Sequence, residues 1–129
     1  MPVSHWIDET SGILWQKFQG FIDLAEVVKF ERAMRDSGLG SCDTIVDLTD
    51  LTGSDITADQ MTYLATLPQR AAKLAIVAPQ DSRFGRARMY EMMAESRDHS
   101  VSIRVFRTPA EAEEWLRGGA GVRVQPGLG

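Results

Sequence analysis

A mostly parallel five-stranded sheet flanked by helices, in the order β-β-α-β-α-β-α-β-α, is the α/β fold that this sequence predicts. Three observations predict it. Short, nearly wholly apolar runs, "TIVDL" at 44–48, "LAIVAP" at 74–79 and "VSIRVF" at 101–106, read as strands buried on both faces. Segments that open with helix-start signals lie between them. Strands that alternate with helices in this way favour parallel pairing through right-handed crossovers.

The elements follow in chain order. "VSHWIDE" and "GILWQKFQG" read as two strands joined by a short turn at "ETSG", an N-terminal antiparallel hairpin, and Gly20 breaks the second run. Asp23 opens a helix, with Glu26 three residues on, a D-x-x-E capping box. Leu24, Val27, Val28, Glu31 and Met34 share one stripe of it, apolar except for Glu31. "SGLG" at 37–40 stops it. After the strand at 44–48, Thr57 and Gln60 form a second capping box for a helix from about Thr57. Pro79 stops the strand at 74–79, and Ser82 is the expected cap of a helix running to about Arg97. After 101–106, Thr108, Pro109 and Glu111 start the last helix, which Trp115 and Leu116 anchor. Residues 1–117 are read as one domain, and 118–129, with five glycines, as a flexible tail in which "GVRVQ" could add to a sheet edge.

Composition narrows the function. The chain has 129 residues, 43% of them apolar, enough for the core of one domain. With 14 basic and 18 acidic residues the net charge is −4, which offers nothing to nucleic acid or to an anionic membrane. No apolar run approaches the roughly 20 residues that span a bilayer. The acidic start "MPVSHWIDE" is unlike a signal peptide, so a cytoplasmic protein without membrane insertion is expected. Cys42 is the lone cysteine, and no Cys/His spacing suggests a metal. His5 and His99 stand apart from any nucleophile in sequence, and there is no nucleophile elbow. No cofactor is expected.

Three stretches resemble one fold family. "IVDLTDLTGSDITADQM" is similar to its strand, "DLS"-type turn and following helix; "KLAIVAPQDSRFGRARMYEMM" to its next strand and helix; "VSIRVFRTPAEAEEWL" to its closing pair. The family is the SpoIIAA-like fold, shared by STAS domains (anti-sigma-factor antagonists) and CRAL-TRIO lipid-binding domains, and the resemblance covers residues 3–117. It implies a bacterial regulatory or interaction module, with a protein partner or a homodimer, rather than an enzyme. A small apolar or amphiphilic ligand is the alternative that the CRAL-TRIO branch implies. In phosphorylated STAS regulators a serine directly follows an aspartate at the start of the helix after the third strand. Here Asp55 takes the aspartate position, Ile56 follows it, and the hydroxyls lie at Ser54 and Thr57.

Four groups of residues are candidates for function. Ser54 and Thr57 could accept a phosphate near a helix N-terminus, although Asp55 and Asp59 would repel it and a capping role explains Thr57. Asp47, Asp50, Asp55 and Asp59 lack the closing glutamate of a calcium loop, which argues against a metal. Arg83 and Arg86, at the start of a helix, are candidate anion ligands, whereas Arg88 is spaced to pair with Glu91. Finally, two helices carry more apolar surface than a sheet requires. Tyr63 and Leu67 lie opposite the stripe of the second helix; on the third, Met89, Met92 and Met93 form one stripe and Ala87, Tyr90 and Ala94 another. Helix–helix packing would use this surface up; otherwise Tyr63, Leu67, Ala87, Tyr90, Met89 and Met93 are a partner or ligand surface.

Overall fold

Asp8 and Gly12 turn the chain between its first two strands in the computed structural model, which describes residues 3–66, 73–97 and 102–118. Asp8 Oδ1 accepts the Thr10 N–H at 3.0 Å, and Gly12 takes φ +75°, which suits a residue without a Cβ. Strands β1 (Val3–Ile7) and β2 (Leu14–Phe18) pair antiparallel across this turn. Strands β4 (Thr44–Asp47), β6 (Lys73–Val77) and β7 (Ser102–Phe106) then join β2 in parallel, giving the sheet order β1-β2-β4-β6-β7. The five strands and the antiparallel hairpin are those expected.

Two further strands were not expected. β3 (Gly20–Ile22) and β5 (Leu51–Ser54) form a separate parallel pair. Gly20, at φ +68°, follows the end of β2 and lets the chain leave the main sheet as β3. The polar stretch after β4, which reads as the lead-in to a helix, instead turns at Asp47–Leu51 and becomes β5. Asp47 makes that turn: its Oδ1 accepts both the backbone N–H and the hydroxyl of Thr49, and the Leu51 N–H bonds the Leu48 carbonyl at 3.1 Å. Asp47→Ala removes a buried acceptor that serves two donors. It is expected to lower the unfolding free energy by about 1–3 kcal/mol, measured by urea titration.

The helices are started as their sequences dictate. In α1 (Leu24–Asp36), Asp23 Oδ1 accepts the Glu26 N–H at 2.9 Å and Glu26 Oε1 accepts the Asp23 N–H at 3.2 Å. In α2 (Ala58–Thr66), Thr57 Oγ1 accepts the Gln60 N–H at 3.2 Å and Gln60 Oε1 returns the bond at 3.0 Å. α4 (Pro109–Gly118) follows Thr108, whose Oγ1 accepts the Glu111 N–H at 3.3 Å. α3 (Asp81–Arg97) begins one residue before Ser82, so Ser82 lies in its first turn instead of preceding it. Leu67, His99 and the tail from residue 119 lie outside the described residues.

The main sheet buries both faces. Leu74, Ile76 and Ile103 pack beneath Ala65 of α2 and Ala87 and Ala94 of α3. On the other face Ile45, Ala75 and Val77 meet Ala112 and Leu116 of α4, with Trp115 beside them. α1 lies on the α2–α3 side, where Val27 and Phe30 join Val3, Ile22 and Leu51 in a third cluster. Glu31 is half-buried on this helix, and burial raises its pKa while Arg35 opposes the rise. A carboxyl raised in this way costs stability in full above its folded pKa and nothing below its ordinary 4.5. Glu31→Gln therefore raises the thermal midpoint at neutral pH, and the gain fades as the pH falls through the raised folded pKa and is gone below 4.5. Melting curves across that range check this sign.

Candidate functional site

β3 and β5 leave the main sheet on the side that also carries α1, α2 and α3. They stand off from it, and the space they enclose is a partly open cavity of about 370 Å³. Its floor is Phe18, Val46 and Ile76 of the main sheet. Ile22, Leu51 and Val27 form the wall on the small-sheet side, and Met61, Leu64, Ala87 and Tyr90 form the helix side. These side chains are apolar except for the tyrosine hydroxyl, so an apolar molecule entering here exchanges water for apolar contacts on its walled sides.

The polar lining comes from two elements. β5 supplies Ser54, and the first turns of α3 supply Ser82, Arg83 and Arg86. Ser54, Ser82 and Arg86 are exposed, which places them towards the solvent side. No carboxylate is among the lining residues. Ser54 Oγ accepts the Ile56 N–H at 3.2 Å, so its hydroxyl proton stays available. The Arg86 guanidinium donates to the Ile56 carbonyl and ties α3 to the entry of α2. Arg83 donates to Gln80 Oε1. The start of α3 is fixed from the far side by Arg107, which binds Asp81 Oδ1 at 2.6 Å and the Pro79 carbonyl at 3.1 Å and lies 4.0 Å from the Phe84 ring.

The cavity gathers residues that the sequence keeps in separate groups. Ser54 (a hydroxyl candidate), Arg83 and Arg86 (anion candidates) and Ala87 and Tyr90 (apolar candidates) all line it. Thr57 does not; it is exposed and its oxygen caps α2. Met93 packs against the core beneath α2 and α3, while Tyr63 is 48% exposed and Met89 43%. Arg88 pairs with Glu91 at 3.5 Å. The acidic residues at and after the end of β4 have separate partners: Asp50 pairs with Lys17 at 2.8 Å, and Asp47 accepts from Thr49. The strand β5 and the residues it contributes are what sequence reasoning missed. The one signal was Gly53, a glycine after a polar run, which the structure pairs with Phe21 across the small sheet.

No family model and no curated protein matches the sequence. The structure is similar to the crystal structure of an uncharacterized protein from the DUF3478 family, with a SpoIIAA-like fold, from Shewanella loihica PV-4. The TM-score is 0.62 at 15% sequence identity, over 88% of this chain and 91% of that one. This likeness shows that the chain has the SpoIIAA-like fold. Among the described residues no helix is long and apolar enough to cross a membrane.

Proposed function

We propose that this SpoIIAA-like chain is a binding module that holds a small amphiphilic molecule non-covalently in the cavity beneath α2 and α3, and that it is not an enzyme. The observation that carries this reading is the cavity itself. At about 370 Å³ it falls within the roughly 300–1,000 Å³ of small-molecule sites, and it has the composition such sites share: a mostly apolar lining and a few polar groups on one side. Of the methionines, Met61 lines it. A neutral environment-sensitive dye such as Nile red tests the reading. Saturable one-to-one uptake with a blue-shifted emission supports it, and fluorescence that rises without saturation counts against it.

A second reading, contact with another copy of the chain through α2 and α3, is favoured by Tyr63, Met89 and Met92, which stay exposed on two helices that pack together. Sedimentation of the wild type and of Tyr63→Asp separates the cases. A dimer that the substitution dissociates supports this reading, and a monomer in both removes it.

A further inference from the structure

We propose that the molecule bound in the cavity carries an acidic head, and that Arg83 and Arg86 hold it. This inference rests on the binding reading above and specifies its ligand. Two guanidinium groups line a mostly apolar cavity that has no carboxylate among its lining residues. Neither forms an ion pair among the described residues. Arg88, Arg107 and Arg117 are matched with Glu91, Asp81 and Glu113. Arg32, Arg35, Arg97 and Arg104 stand outside these ion pairs too, but none of them lines the cavity. The chain as a whole is acidic, with net charge −4, so this unmatched positive pair is not a by-product of general basicity.

The geometry suits one anion. Arg83 and Arg86 are three residues apart on α3, so they project from neighbouring positions on one face. Each spends a donor on a neutral oxygen, Gln80 Oε1 or the Ile56 carbonyl, and a guanidinium has five. The remaining N–H groups can bind a carboxylate or a phosphate monoester side by side. The Ser54 and Ser82 hydroxyls add donors on the same side. Arg83 lies in the first turn of α3, where the helix dipole also favours negative charge. An acid with an apolar chain would therefore place the chain over Val46 and Ile76 and its head at α3.

Calorimetric titration with four ligands of one chain length tests this: decanoate, decyl phosphate, decanol and decylamine. The expected result is that at least one anion binds about tenfold or more tightly than decanol, and that decylamine binds most weakly. Which anion is preferred tells a carboxylate ligand from a phosphate one. Arg83→Gln is expected to weaken the preferred anion several-fold more than it weakens decanol, and so to remove most of that preference. Because Arg86 also holds the Ile56 carbonyl, Arg86→Gln is judged beside its melting curve, and Arg83→Gln is the deciding variant. Equal affinity for decanoate, decyl phosphate and decanol overturns the acidic head and leaves the cavity reading standing. A preference that survives both substitutions overturns the assignment to these arginines. If none of the four binds, both readings fall.

Discussion

Ala87→Phe abolishes uptake of an apolar ligand while leaving the fold in place. Ala87 is 6% exposed, sits on α3 and lines the cavity, so its Cβ is a base from which a phenyl ring projects into space that is otherwise empty. The ring occupies volume that the ligand needs. Because the added atoms enter a void, the overpacking cost of about 1–3 kcal/mol for a filled core applies only in part. Loss of Nile red binding with an unchanged far-ultraviolet circular dichroism spectrum is the expected result. Met61→Trp fills the same space from α2 and should act in the same way. Full binding by both variants would mean that the dye, and any natural ligand, sits elsewhere.

The largest loss of stability is expected from Ile45→Ala. Ile45 is 0% exposed on β4, paired between Trp15 of β2 and Ala75 of β6, and packed beneath α4. Truncation should cost about 2–5 kcal/mol, from lost transfer energy and an unfilled hole. That is a large share of the roughly 5–15 kcal/mol that holds a domain together. Ile7, 39% exposed on the edge strand β1, is the contrast: Ile7→Ala should cost well under about 1 kcal/mol. Urea titration of the pair measures both, and equal losses would contradict the burial described here.

Elements whose cause is local were legible in the sequence. The Asp23–Glu26 and Thr57–Gln60 boxes are reciprocal bonds between residues three apart, so their letters suffice to locate a helix start. Strand β6 was equally plain, since a run buried on both faces has no polar side to disguise it. β3 and β5 were not. "GFI" and "LTGS" are three and four residues long, and glycine and the hydroxyl residues weaken any strand pattern. Their pairing, Gly20 with Leu51 and Ile22 with Ser54, joins segments far apart in sequence, and no local window contains it. The cavity inherits that blindness, because its far wall is this pair.

The surplus apolar surface of α2 and α3 was visible, but its destination was not. Ala65, Ala87 and Ala94 are buried in the cluster beneath the two helices, and Tyr90 and Met93 pack against it. Tyr63, Met89 and Met92 are left outside. Periodicity tells which residues share a stripe; it does not tell which stripe meets a neighbouring helix, which meets a cavity and which meets water. Arg83 and Arg86 could be flagged as anion ligands from their place at a helix start, but only the fold reveals that the wall facing them is apolar and free of carboxylates.

Native mass spectrometry of the freshly purified protein, run beside Ala87→Phe, tests the central claim most directly. The account predicts a wild-type species heavier than the polypeptide by one small molecule, which denaturation releases, and a variant at the bare polypeptide mass. Bare polypeptide mass for both, or the same adduct on both, would contradict it.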